Sequence, residues 1–122
     1  MTTFQGEAGI TRAILRLVTA AGCYGQKRHG SLYGKAGDQD IEVLVPVVYQ
    51  QYPVPLYVEV KRPGGQMTPL QVRRAAEKRR YGAVVITAYS AVDVLDVIRE
   101  IRERRYDAPR TEHDNAEETG IS

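Results

Sequence analysis

The sequence predicts an α/β chain in which a mixed β-sheet is flanked by helices in the order α-β-β-β-α-β-α. Three observations carry that prediction. Apolar residues recur at helical spacing after Glu7, two β-branched runs, "IEVLVPVVY" and "LYVEVK", stand either side of a turn-like "QQYPVP", and the continuous apolar run "AVVITAY" lies between two further helical segments. Sequential strands on either side of a helix give a sheet that mixes antiparallel and parallel pairing. With 122 residues, 43% hydrophobic and 26% charged, the chain suits one domain that buries a core.

From Glu7 to Ala21, the residues Ile10, Ile14, Leu17, Val18 and Ala21 form an apolar stripe with Arg12 and Arg16 opposite. At about 100° per residue, Glu7 falls in the same arc, so its carboxylate is expected to face the protein. The other reading of Glu7 is an exposed first-turn acid favoured by the helix dipole. Gly22, Gly25, Gly30, Gly34 and Gly37 punctuate the next stretch, which reads as a short strand and loops.

The two β-branched runs then form an antiparallel hairpin. If its connection is centred near Gln50 and Gln51, Asp40 at the start of the first strand comes level with Glu59 and Lys61 at the end of the second. Alternation puts Tyr57, Glu59 and Lys61 on one face of that strand and Val58 and Val60 on the other. Thr68-Pro69-Leu70-Gln71 opens a helix with Thr at the N-cap, Pro at the first position and Gln at the third. It is expected to run to about Tyr81 with Val72, Ala75 and Ala76 as its apolar face, Arg73, Arg74, Lys78 and Arg80 around most of the rest, and Gly82 as its end. "AVVITAY" is a buried strand, and Ser90 with Asp93 caps a last helix whose stripe is Val94, Val97, Ile98 and Ile101.

Composition narrows the partners. The net charge of +2 hides an asymmetry: residues 1–105 carry 16 Lys/Arg against 10 Asp/Glu, and residues 106–122 carry 1 against 5. A basic body favours a polyanion such as nucleic acid, although an excess of this size is also common in proteins that bind nothing charged. The acidic, aperiodic stretch 107–122 is expected to be a disordered tail on a domain spanning 1–106. Cys23 is the one cysteine, which precludes an internal disulfide, and two histidines, His29 and His113, do not suit a structural zinc site. The amino-terminal residues lack the layout of a secretion signal and no stretch is long and apolar enough to span a bilayer, so a cytoplasmic protein with no membrane partner is expected.

Carboxylates and a lysine at one end of a sheet suit phosphodiester cleavage, which needs hard oxygen ligands for a metal and a water made nucleophilic. Asp40 and Glu59 would hold Mg²⁺, with the backbone carbonyl of Val60 as a further ligand, and Lys61 would orient the water and offset charge on the phosphoryl oxygens. Taken alone, Glu-Val-Lys is equally the pattern of a surface ion pair worth about 0 to 1 kcal/mol.

The combination "GKAGDQD" and "EVKRPGGQMTPLQ" resembles the VRR-NUC family of the PD-(D/E)XK nuclease superfamily. That family's pattern is a first-helix Glu, a Gly-x-x-Gly-x-x-Asp stretch, a Glu-Val-Lys strand end, then Gly and a Thr-x-x-Gln helix start. Here those places are taken by Glu7, by Gly34, Gly37 and Asp40, by Glu59 and Lys61, by Gly64 or Gly65, and by Thr68 and Gln71. The resemblance covers nearly everything from Glu7 to the last helix. It implies a restriction-endonuclease-like core, a catalytic set of Glu7, Asp40, Glu59, Lys61 and Gln71, and Mg²⁺- or Mn²⁺-dependent DNA cleavage with Glu7 joining the metal ligands.

Gln39 stands where the family usually has Pro, and Asp38 and Glu42 are nearby acids that a different register would promote. Gln71 also has a second reading, as the glutamine of a capping box. Lys27, Arg28, Lys35, Arg73, Arg74 and Lys78 are candidate phosphate contacts, each with a solvated face as its alternative. Tyr49 and Tyr52 near the hairpin turn would stack on bases, form an interface, or simply pack.

With little outside the core, target recognition is expected to come from a partner or from self-association. A two-fold homodimer would present two active sites for paired cuts in branched DNA such as a four-way (Holliday) junction. A phage or mobile-element origin, with the host cytoplasm as compartment, would suit so small a protein. The competing readings are a catalytically silent DNA- or protein-binding module and a nuclease for flapped or linear ends.

Overall fold

Residues 6–28, 37 and 39–103 are described by the structure, a computed structural model. Helix α1 (Glu7–Ala20) leads into strands β1 (Tyr24–Lys27), β2 (Ile41–Val45) and β3 (Val54–Val60), then helix α2 (Pro69–Arg80), strand β4 (Val84–Ala88) and helix α3 (Ala91–Arg102). This is the order expected from the periodicities. The strands lie side by side in the order β1-β2-β3-β4, antiparallel except for the parallel pair β3 and β4. A parallel neighbour requires a crossover, which α2 supplies.

Strand alternation decides which side of this sheet is core. Ile41, Val43 and Val45 pair opposite Val58, Leu56 and Val54, and all but the half-buried Val54 are fully buried. They meet Ile10, Ile14 and Val18 of α1 and Val94, Ile98 and Ile101 of α3 in one cluster, so these two helices cover the apolar face. Each such side chain withdrawn from water stabilises the fold by about 1.5–3 kcal/mol. The other face carries Glu42, Tyr57 and Glu59, and α2 sits at its β4 side.

The hairpin differs from expectation in two details. Strand β2 stops at Val45 because Pro46 has no N–H to extend the ladder. The rest of that apolar run forms the connection, where Val48 is fully exposed and the Tyr49 hydroxyl donates to the Ile101 carbonyl at 2.7 Å. Tyr49 therefore packs, while Tyr52 lies largely in solvent. The pair Val45–Val54 centres the connection between Tyr49 and Gln50, one residue earlier than expected, which brings Asp40 level with Glu59 and leaves Lys61 two residues beyond on the same face.

Helix α2 also differs. Of its expected apolar face only Ala75 is buried, with Val72 and Ala76 exposed. Five basic residues and small alanines leave it no broad apolar stripe, so polar contacts seat it. One is the Arg79 guanidinium, which donates to the Val85 carbonyl at 2.7 Å. The capping box at Thr68 and Gln71 forms as expected. At the start of α3, the Asp93 carboxylate accepts from the amides of Tyr89 and Ser90.

Helix α1 approaches β1 at Gly25, where a Cβ would lie 2.6 Å from the Val18 Cγ2. Gly25→Ala is therefore expected to destabilise the protein by about 1–3 kcal/mol through overpacking, read as a shift of the urea midpoint at unchanged slope.

Candidate active site

Past the last β2–β3 pair, Ile41 with Val58, the two strands separate, and Asp40 and Glu59 face each other across the opening. The Asp40 Oδ2 accepts from the Val60 amide at 2.9 Å, which fixes that carboxylate against the end of β3. An extended residue points its N–H and C=O to the same side, so the Val60 carbonyl is directed toward Asp40 as well. Glu59 is only 2% exposed. Its Oε2 accepts from the Gln71 side-chain amide at 2.9 Å and lies 3.5 Å from the Lys61 Nζ, while its Oε1 is buried with no hydrogen-bond partner among the described residues.

A buried carboxylate beside another is electrostatically unfavourable. Burial first, and then the neighbouring Asp40 charge, push the Glu59 carboxyl up from 4.5 to about 7, against the opposing pull of Lys61. A cation between the two carboxylates would relieve both effects. The unpartnered Oε1, the Asp40 carboxylate and the Val60 carbonyl are hard oxygen donors of the kind Mg²⁺ or Mn²⁺ takes, so the residues present fit a divalent ion.

Gln71 fulfils both of its sequence readings at once. Its Oε1 accepts from the Thr68 amide at 2.8 Å, closing the capping box, and its Nε2 donates to Glu59. The helix cap and the site thus share one side chain.

The expectation that the Glu7 carboxylate faces the protein is corrected by the structure. It is exposed in the first turn of α1, and among the described residues no group of three or more Asp, Glu, His or Cys side chains comes together. The stripe is buried only from Ile10 onward, so an acid one turn earlier stays in water, where the dipole of the helix favours it.

Of the candidate phosphate contacts, Lys27 and Arg73 are exposed and Arg74 pairs with Glu77 at 3.0 Å. Arg28 lies over the Tyr57 ring at 6.0 Å and 3.7 Å from Glu42, whose Oε2 also accepts from the Tyr57 hydroxyl. Lys78 lies on the same ring at 5.0 Å. Lys35, Gly34 and Asp38 fall outside the described residues, as do Arg104 and everything after it. Glu42, two residues from Asp40 on the same face, is engaged by Tyr57 and Arg28. Gly37, at φ +84° and with a Cβ position 2.5 Å from the Leu70 Cγ, lies against the first turn of α2 as only glycine allows.

Sequence reasoning treated Gln39 only as a departure from a family pattern. It is 1% exposed, donates to the Gln71 carbonyl at 3.1 Å and accepts from the Lys78 Nζ at 2.9 Å. Its position directly before a metal-ligand candidate was the one available signal.

A mixed four-stranded sheet with an acidic pair and a lysine where two central strands part defines a restriction-endonuclease-like α/β core. Among solved structures, one described as a VRR_NUC domain is 26% identical to this chain, covers 76% of it and 94% of its own length, and superposes with a TM-score of 0.62. No family model matches the chain, and no curated protein matches it. The chain has a VRR-NUC family fold.

A carboxyl held above its unfolded value binds more protons in the native state across the interval between the two values. Stability is therefore fully present below pH 4.5 and is lost as pH rises toward 7. In thermal melts with chelator, the contribution of Glu59, taken as the difference between wild type and Glu59→Gln, is expected to become less favourable across that window. Mg²⁺ or Mn²⁺ is expected to raise the wild-type Tm more at pH 8 than at pH 5 and to leave Glu59→Gln nearly unmoved.

Proposed function

We propose that the protein is a divalent-metal-dependent DNA endonuclease that hydrolyses phosphodiester bonds. The observation that carries this reading is the buried Glu59 carboxylate with an unpartnered oxygen beside Asp40 and 3.5 Å from the Lys61 ammonium. The likeness to a structure described as a VRR_NUC domain supports it.

In this reading Asp40, Glu59 and the Val60 carbonyl hold Mg²⁺ or Mn²⁺, which when bound supplies Lewis acidity toward the phosphate and lowers the pKa of a bound water. Asp40 is oriented for this by the Val60 amide, and Glu59 by Gln71. Lys61 is tethered to the Glu59 Oε2, placing its charge where the phosphoryl oxygens become more negative and its N–H donors where an attacking water is oriented. Lys27, Arg28, Lys35, Arg73, Arg74 and Lys78 contact backbone phosphates, which gives affinity without sequence information. Residues 1–106 form the nuclease domain and 107–122 its acidic tail. The substrate is branched DNA such as a four-way junction, cut by a homodimer. The basic body supports a nucleic-acid substrate.

The test is cleavage of labelled four-way junction, flap and linear duplex DNA with Mg²⁺ or Mn²⁺. Wild type is expected to cut the junction preferentially. Asp40→Ala and Lys61→Ala are expected to bind it within a few-fold of wild type and to cut at least about 10²-fold more slowly. Wild type that binds DNA but cuts none of the three with either metal would make the protein a binding module.

Binding is further expected to weaken steeply with salt. Arg73→Ala should lower the slope of log K against log salt by about 1, measured by fluorescence anisotropy on uncut junction DNA.

A further inference from the structure

We propose that Gln39 is a positioning residue of this site: its side-chain amide fastens α2 to the β2 end of the catalytic opening and thereby holds Gln71 against Glu59. The proposal rests on the nuclease reading for its catalytic consequence, and on geometry alone for the fastening.

Four contacts run in series. The Lys78 Nζ donates to the Gln39 Oε1 at 2.9 Å, the Gln39 Nε2 donates to the Gln71 carbonyl at 3.1 Å, and the Gln71 Nε2 donates to the Glu59 Oε2 at 2.9 Å, beside which lies Lys61. Gln39 is 1% exposed, and both ends of its amide are used. The partners dictate the orientation of that amide, because a flipped group would set NH₂ against an ammonium and oxygen against a carbonyl. An amide side chain offers one donor and one acceptor at this spacing, which no apolar or ionised side chain does, so the position discriminates between Gln and those residues.

The seating of α2 makes the contact consequential. With Ala75 its one buried residue, this helix lacks the apolar face that fixes α1 and α3, and its first turn carries Gln71. The residue that binds the Gln71 backbone is the one preceding Asp40, so a single side chain ties together the two segments that flank the carboxylate pair. Lys78, gathered by the same amide, is drawn over the Tyr57 ring on the catalytic face.

The test compares wild type with Gln39→Leu, which is close in size and removes both bonds, and with Gln39→Glu, which keeps the acceptor for Lys78 and loses the donor to Gln71. Two readouts are taken: junction cleavage, and the NMR signals of the Gln71 side-chain NH₂ in metal-free protein. In Gln39→Leu, kcat is expected to fall tenfold or more, up to about 10²-fold, with KM within about twofold, as for a misplaced but intact site. Combined with Gln71→Ala, it is expected to cost no more than Gln71→Ala alone, because both act on Glu59 through the same link. The Gln71 NH₂ signals are expected to move to those of a solvated amide in both Gln39 variants. Unchanged Gln71 signals, or losses that multiply in the double variant, would overturn the proposal. If Gln39→Leu does not fold, Gln39→Glu carries the same comparison. If wild type cuts no DNA, the nuclease reading falls and the NMR result alone decides the fastening.

Discussion

The register between β2 and β3 is the constraint from which the rest of the molecule follows. Side chains alternate along a strand, so a slip of one residue would carry Ile41, Val43 and Val45 to the polar face and bring charged residues into the core. At about 1.5–3 kcal/mol for each of these three aliphatic side chains exposed, such a slip costs an amount comparable with the whole net stability of a domain. The same pairing that buries those residues sets Asp40 beside Glu59. Hydrophobic burial on one face thus specifies the chemistry on the other, and the acids need no attraction of their own to come together. They repel, and the core holds them in place.

That repulsion is where the fold and the site conflict. Glu59 is buried at the edge of the core with one oxygen unpartnered, and its carboxyl is held near neutrality by burial and by Asp40. Lys61 and Gln71 offset part of the cost through the other oxygen. A structure selected for stability alone would have an aliphatic residue there, as at Val58 and Val60 on the same strand. Retaining a strained acid at this position is the pattern expected of a site where stability has been exchanged for function.

How much of this is legible in the sequence depends on which force decides each element. The stripe of α1, the alternation of β2 and β3 and the apolar run of β4 are read directly, because burial imposes the periodicities that a sequence displays. The capping box at Thr68 and Gln71 is equally legible, since it depends only on local spacing. Glu7 is misread because a helical wheel gives direction around an axis and says nothing of how far along that axis a partner surface extends. Val72 and Ala76 are misread for a related reason: helical spacing marks them as a face, but nothing local reveals that no sheet surface lies under them. Gln39 is invisible because its partners, Gln71 and Lys78, are more than thirty residues away.

The two faces of the sheet are therefore held by forces of different reach. On the α1 and α3 side, many aliphatic side chains share the load, and losing one leaves a cavity without redirecting the rest. On the α2 side, position depends on individual hydrogen bonds from Gln39, Gln71, Lys78 and Arg79, each contributing about 0.5–1.5 kcal/mol net, or about 1.5–3 kcal/mol where a partner is charged, and each directional. Removing one of these bonds costs part of the total stability and allows an angle to change. Because the candidate site is assembled from such bonds, its geometry is more sensitive to single substitutions than the fold is. A change there can disable the site in a protein that still folds.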